Sequence, residues 1–265
     1  MDTGELFAET VRKNLPTRFI GQRLVYYYSV ASTMTAAREQ ATQGAPHGTV
    51  VAAEMQPAGH GRLGRAWLSP RGNLPLSIVL YPPPAYLPYL VMAAALALAD
   101  NVKTVTGLTP ALKWPNDLLL SGKKLSGILV ESGACGEKTF AVVGIGLNVN
   151  MHVEEYKEIA ATATSLADEL GRPVSRLALL RELLVQFERR YLMLEAGQEQ
   201  VFAEWRARLA TIGERVRVQA GQEGFEGTAE DVAGDGSLLL RLADGTLRKI
   251  AAGDVTLRNA PGTPG

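Results

Sequence analysis

Cysteine is almost absent: Cys135 is the sole one in 265 residues. One thiol excludes an internal disulfide framework and a cysteine-based structural zinc site. Histidine is nearly as scarce. His47, His60 and His152 are the only three, and none stands three or four residues from another, which argues against a histidine-rich metal site. Charge of either sign is not in excess, because 27 Lys+Arg balance 27 Asp+Glu. The chain therefore lacks the global basic field of a general nucleic-acid binder, and any contact with a polyanion must come from a local cluster. The N-terminal MDTGELFAETVRKN mixes charges and carries no apolar core of a signal peptide. The most apolar stretch, Tyr89–Ala99, falls short of the roughly 20 residues that cross a bilayer. These absences predict a cytoplasmic protein with no membrane contact.

What remains is an ordinary globular composition, 46% hydrophobic and 20% charged, suited to one large domain or a main domain with an appendage. Residues 1–22 read as a short helix with a turn at Gly21. A strand follows at 24–30, then a helix capped by Ser32 and Thr33 and closed by Gly44, then a strand at 48–54. LPLSIVLY is a strand ended by the prolines at 82–84, and 89–107 is a buried helix of small and aliphatic residues. Two strands are expected at 112–120 and 124–132, joined by Ser121-Gly122-Lys123, and another at 140–150. Loop and helix fill 153–170, and amphipathic helices cover 175–195 and 198–210. Hairpin-linked strands among helices predict an α+β fold with a mixed sheet. Past Ile212-Gly213 the texture changes to four or five short alternating runs between Gly and Asp-Gly turns, the pattern of a small β-barrel. The expected organisation is a main domain over 1–211, a barrel over 212–260 and a disordered tail at 261–265.

Gly59-His60-Gly61-Arg62-Leu63-Gly64 satisfies a dinucleotide-binding pattern but lacks its context. Pro70, Gly72 and Asn73 follow where a helix should run, and no carboxylate occurs between Glu54 and Asp100 to hold a ribose. The missing acids have a second meaning. They leave Arg62, Arg65 and Arg71 without local ion-pair partners on a glycine-rich segment beside Trp67, so the loop is either a solvated turn or an anion-binding one. Lys113-Trp114-Pro115-Asn116-Asp117 sets a cation, an aromatic, an amide and a carboxylate at one strand-to-turn region, read as a bulge with an Asx-turn or as part of a site. Alternation from Lys123 and Lys124 sends one lysine inward among the core-facing residues, where it needs an anionic partner, a ligand or Asp117. Gly144 to Asn150 ends a strand with two glycines and two amides, either an edge closed by an Asx-turn or a place where backbone approaches a ligand, with Asn148 supplying polar recognition.

In order, Ser32-Thr33, EMQPAGHGRLGRAW, KWPND, KKLSGILVES, VVGIGLNVN and ATATSLADELG resemble the biotin protein ligases over roughly residues 20–260, in the form without an N-terminal DNA-binding domain. The resemblance implies a class II synthetase-like catalytic domain with a small SH3-like C-terminal barrel. It implies that Ser32, Thr33, Gln56, His60, Gly61, Arg62, Lys124, Gly127 and Gly144 contact biotin. It places Arg62, Arg65, Trp67, Lys113, Asn116, Lys124 and Asn148 near ATP or the adenylate, and makes Lys124, Arg62 and Asp117 catalytic. The implied co-substrates are ATP with Mg²⁺, the substrate biotin, and the acceptor a lysine of a biotin carboxyl carrier protein; the Mg²⁺ ligands are not indicated. Many relatives dimerise through a sheet edge, so a homodimer is an expectation, and DNA binding is not. Three positions depart from the family pattern: Met34 stands where Asn or Asp is common, and His60 and Leu63 stand where arginine is frequent. A lipoate or octanoate ligase and a non-catalytic biotin-sensing module are the competing readings.

Overall fold

The computed structural model describes residues 8–136 and 138–257. The expected disordered tail at 261–265, and the last residues of the expected barrel, lie outside the described residues. Helix α1 (Ala8–Arg12) leads through a turn into a seven-stranded mixed sheet. Its strands are β1 (Leu24–Ser29), β2 (Thr49–Met55), β3 (Leu74–Leu80), β4 (Ala111–Lys113), β5 (Asp117–Leu120), β6 (Lys123–Cys135) and β7 (Lys138–Leu147). Their spatial order is β1-β2-β3-β7-β6-β5-β4. The β1–β2 pair is parallel and all other pairs are antiparallel.

Period-two alternation assigns the two faces of this sheet. On β7, Ala141, Val143, Ile145 and Leu147 point into the main core, and β3 adds Leu74, Leu76, Ile78 and Leu80 on the same side. That side is covered by α3 (Leu90–Thr106), α5 (Arg176–Ala196) and α6 (Glu199–Ala207). The alanines of α3 keep its surface smooth where it meets α5, and Gly107 ends it at φ 79° in the left-handed region that glycine tolerates. The other face carries a smaller core in which α2 (Thr33–Thr42) packs on Val51, Val79, Phe140 and Val142. Ser32 caps α2, its side chain accepting from the Met34 amide at 3.2 Å. Because α2 is short, half of that face stays uncovered. The glycines of β6 and β7 lie there.

A second sheet of five antiparallel strands follows, in the order β11-β10-β9-β8-β12. Its members are β8 (Arg215–Ala220), β9 (Glu223–Val232), β10 (Leu238–Leu242), β11 (Leu247–Ile250) and β12 (Asp254–Leu257), consistent with a small SH3-like barrel. Trp114, 1% exposed, joins the two parts: its indole NH donates to the Gly236 carbonyl at 2.8 Å, and its amide to Thr211 Oγ1 at 2.9 Å.

Two expectations need correction. The single strand at 112–120 is a hairpin, β4 and β5 in antiparallel register with Lys113 opposite Asp117. Pro115 cannot donate a ladder hydrogen bond, and Trp114 turns into the core, so the strand breaks there. The apolar run is also longer than Tyr89–Ala99. Pro84–Thr106 forms 23 continuous helical residues containing an 18-residue window of mean hydropathy 1.4, long and apolar enough to span a bilayer. Within the fold, 61% of its apolar window is buried, and the helix is a core element packed against α5 and the sheet.

The N-terminal segment is fastened by buried polar groups. The Glu188 carboxylate accepts the amides of Arg18, Phe19 and Ile20 at 2.6–2.9 Å. Beside it, His47 packs against Phe19 and Tyr191 and accepts the Tyr81 amide on Nδ1 at 2.9 Å. Burial lowers the His47 pKa below its ordinary 6.5. The neutral ring is thus favoured in the folded state, and its stabilising share is complete above the unfolded pKa near 6.5 and lost as pH falls below it. The urea midpoint is expected to drop between pH 7.5 and 5.5. His47→Gln should flatten that slope; parallel decline in the two proteins would show that His47 is not its source.

Candidate active site

The uncovered half of the sheet forms the floor of a cleft of about 1050 Å³. Gly127, Gly144 and Gly146 lie along it on neighbouring strands β6 and β7, with Gly127 opposite Gly146. A Cβ would collide with a neighbour at Gly144 and Gly146 and make a tight contact at Gly127. A side chain on Gly146 or Gly127 would meet the Trp67 indole, and one on Gly144 would meet the Met34 sulfur. The glycines therefore make room for side chains laid flat on the sheet.

At one end, the N-terminus of α2 meets the strand β2. Gln56 Oε1 accepts the Thr33 amide at 2.7 Å, and Ser77 Oγ donates to Thr33 Oγ1 at 2.9 Å. Ser32, Thr33, Met34 and Gln56 line this end together, and all four are buried. Above the floor runs the arginine loop. Trp67 donates its amide to the Gly59 carbonyl at 2.8 Å, and Gly61 donates to Arg65 at 2.7 Å, which folds the segment back on itself. Leu63 takes φ 57° at its tip and is 69% exposed, so it faces away from the cleft. The root of the loop is held by Glu54, 2% exposed, whose carboxylate accepts from Tyr26 OH at 3.0 Å, Arg176 at 2.9 Å and the Gly72 amide at 3.4 Å.

The charges are paired more than local sequence suggests. Arg62 donates to Asn116 Oδ1 at 3.2 Å and to the Gly253 carbonyl at 3.4 Å, and burial lowers its pKa. Arg65 pairs with Asp254 at 2.5 Å, while Arg71 stands 3.9 Å from Glu54, over the Tyr28 ring and outside the cleft. The expectation that these arginines lack ion-pair partners is thus corrected for Arg65 and Arg71, whose carboxylates come from β12 and from behind the loop, whereas Arg62 meets only neutral acceptors. Lys124 pairs with Asp117 at 2.7 Å, with its ammonium 5.6 Å from the Trp67 centroid. It is also 38% exposed into the cleft, while Leu125 and Ile128 point to the core, so the lysine does not lie among core-facing residues as expected. Asp117 is the anionic partner. Lys113 lines the wall nearby, its pKa lowered mainly by burial. Asn116 closes the β5 side, donating to the Ile128 carbonyl at 2.6 Å.

Of the sequence-derived site residues, the cleft gathers Ser32, Thr33, Gln56, His60, Gly61, Arg62, Arg65, Trp67, Lys113, Asn116, Asp117, Lys124, Gly127 and Gly144. Asn148 is the exception. It lies behind the floor, 3% exposed, with its amide bonded to the Thr164 carbonyl at 3.0 Å. Sequence reading missed the wall from the second sheet, Arg217, Gln219, Asp254 and Thr256, which share one face across the β8–β12 pair. Alternation along RVRVQA would have exposed Arg217 and Gln219 together, but nothing local says what they face. In total Arg62, Arg65, Lys113, Lys124 and Arg217 oppose only Asp117 and Asp254. The surplus suits a polyanion.

A glycine-floored cleft, a folded-back arginine loop and a closing barrel define a class, and the chain matches it in sequence. Residues 26–150 match the Biotin/lipoate A/B protein ligase family and 211–258 the Biotin protein ligase C terminal domain. The bifunctional ligase/repressor BirA of Bacillus spizizenii is 35% identical over 260 residues, covering 96% of this chain and 80% of that protein. The biotin–[acetyl-CoA-carboxylase] ligase of Mycobacterium tuberculosis is 38% identical over 216 residues, 78% of each. The biotin protein ligase of Aquifex aeolicus, solved in complex with biotin and ATP, superposes with a TM-score of 0.77 at 28% identity, covering 90% of this chain and all of that one. The chain belongs to the biotin protein ligase family.

Packing on the floor can be tested directly. Gly146→Ala should lift the Trp67 ring and cost about 1–3 kcal/mol by overpacking. Trp114 and Trp205 are buried at 1% and 2% exposure, so a rise in acrylamide quenching of tryptophan emission reports Trp67. Unchanged quenching and an unchanged urea midpoint would contradict the contact.

Proposed function

We propose that this chain activates biotin with ATP as biotinyl-5′-AMP and transfers the biotinyl group to a lysine of a biotin carboxyl carrier protein. The observation that carries this reading is the meeting of Arg62, Lys124 and Asp117 between the glycine floor and the cation-rich wall. The match to the biotin-ligase C-terminal domain favours biotin over lipoate.

In the first step a biotin carboxylate oxygen attacks the α-phosphorus of ATP, and pyrophosphate leaves. Two anions must approach, and charge grows on the α-phosphoryl oxygens; Arg62 and Lys124 offset both. Ser32, Thr33 and Gln56, with His60, Gly61, Gly127 and Gly144, form the biotin end. Arg65, Trp67, Lys113 and Asn116 form the nucleotide end. In the second step a carrier-lysine amine attacks the carbonyl of the anhydride, and AMP leaves. That amine has a pKa near 10.4 in water, so it must shed a proton, and Asp117 is the carboxylate placed to orient or accept it. Among the described residues no three His, Cys, Asp or Glu side chains converge as metal ligands, and both cleft carboxylates are ion-paired. The residues do not fit a protein-held magnesium ion; one borne on nucleotide phosphates and water is the form this cleft admits.

The finer organisation belongs to the same proposal: catalytic residues to 211, a barrel over 212–260 that closes the nucleotide side, and a cytoplasmic location. A homodimer without operator binding completes it, supported by the zero net charge. Sedimentation at micromolar concentration should give two copies, and a gel shift at physiological salt should show no retarded promoter fragment; the reverse of either result removes that part.

The main experiment is mass spectrometry of a carrier domain incubated with the protein, ATP, Mg²⁺ and biotin. One biotinyl group on one lysine is expected, and labelled lipoate should give none. Lys124→Ala should slow adenylation about 10²–10³-fold, the scale of one preorganised electrostatic donor, yet slow transfer from pre-made biotinyl-adenylate far less. Lys123, exposed at the start of β6, is the control and should tolerate alanine. Equal loss in both half-reactions would remove the adenylation role from Lys124.

A further inference from the structure

We propose that Glu169 is a positioning residue for Lys124, the keystone of a brace that also contains Asn148. The inference rests on the role given above to Lys124 and concerns what fixes that ammonium in place.

Lys124 lies where the sheet changes partner. On one side of β6 it pairs with Leu119 of β5. On the other side β7 has already ended, since Leu147 is opposite Ser126. The segment 162–164 takes over the vacated edge. The Lys124 amide donates to the Thr162 carbonyl at 2.8 Å, and the Thr164 amide donates to the Lys124 carbonyl at 3.0 Å, a parallel bridge centred on Ala163. Asn148, the first residue past β7, stitches the junction. Its amide NH donates to Leu125 at 3.0 Å, its side chain to the Thr164 carbonyl at 3.0 Å, and its own carbonyl accepts from Leu166 at 3.2 Å. The backbone NH and carbonyl of Asn148 and its side-chain NH2 are thus all engaged in holding that segment.

The brace is then locked by one carboxylate. Glu169 stands in helix α4 (Leu166–Leu170), which Ser165 caps. One of its oxygens accepts from Thr164 Oγ1 at 2.7 Å and the other from Ser121 Oγ at 2.7 Å. Ser121 belongs to the β5–β6 turn, three residues before Lys124, with φ 51°. Glu169 thus ties the chain entering Lys124 to the segment paired beside it, through two short charge-assisted bonds. A lysine ammonium rides on a flexible four-carbon stem. Its placement toward Asp117 and the cleft is only as good as the placement of its Cα, and a misplacement of about 1 Å can cost a reaction about 10²-fold.

The test separates positioning from general stability. Adenylation is read by biotin-dependent ATP–pyrophosphate exchange, and transfer by reaction of pre-made biotinyl-adenylate with a carrier domain. Glu169→Ala should slow exchange about tenfold and transfer by less than about twofold, the same split as Lys124→Ala. Glu169→Gln, which keeps two hydrogen-bonding ends for hydroxyls that can donate or accept, should restore most of the loss. In the Lys124→Ala background, Glu169→Ala should cost nothing further, because residues acting through one group are non-additive. Equal loss in both half-reactions, a full tenfold loss in the Lys124→Ala background, or no loss at all would overturn the proposal. If Glu169→Ala fails to fold, Thr164→Val cuts one leg of the brace and must show the same split. Normal exchange by Lys124→Ala alone would instead sink the role of Lys124 on which this inference stands.

Discussion

The molecule depends on the difference between the two faces of one sheet. Alternation on β7 gives one face four apolar side chains, Ala141, Val143, Ile145 and Leu147, and these fix the register against the α3 and α5 layer. A slip by one residue would bury Gly144 and Gly146 and expose the whole apolar set. The packed face therefore guarantees the empty one. Where α2 stops, the glycines of the other face leave a space, and Trp67, Met34 and the arginine loop are arranged above it.

Electrostatics in that space is built from long-range pairs. Three of the cleft cations have defined partners: Lys124 has Asp117 on the neighbouring strand, while Arg65 with Asp254 and Arg62 with the Asn116 side chain and the Gly253 carbonyl are matched across the fold. A buried cation without such partners would be costly, and burial does lower the pKa of both Arg62 and Lys113. With more cations than carboxylates along the walls, an incoming anion relieves repulsion as it binds.

Much of this was legible in the chain, and the failures have physical reasons. Strong period-two runs and capped helices identified the strands and helices almost where they occur, because LPLSIVLY or VVGIGL admit little else. The series from Ser32 to Gly144 was legible because its glycines, arginines and KWPND stand in the order and spacing of the family that the chain resembles. The break at Trp114 was not, since it depends on the indole finding Gly236, 122 positions away. The partner of Arg65 is Asp254, more remote still. Asn148 looked like a ligand because an amide after a glycine-rich strand suits one; only the fold brings Thr164 to its side chain. Local chemistry announces which residue types are present, while their assignments are made by tertiary contact.

The cleft draws on Ser32, Arg62, Asp117, Lys124 and Asp254, residues scattered over almost the full length of the chain. Contacts of such separation carry the entropic cost of closing long loops. The 253–254 corner comes from the second sheet, and it supplies the Gly253 carbonyl to Arg62 and the Asp254 carboxylate to Arg65. The helices bury themselves on the first sheet, while one wall of the cleft, Arg217, Gln219, Asp254 and Thr256, belongs to the second. The pocket is therefore a joint product of two sheets, and a disturbance that loosens the second from the first would be felt at Arg62 and Arg65.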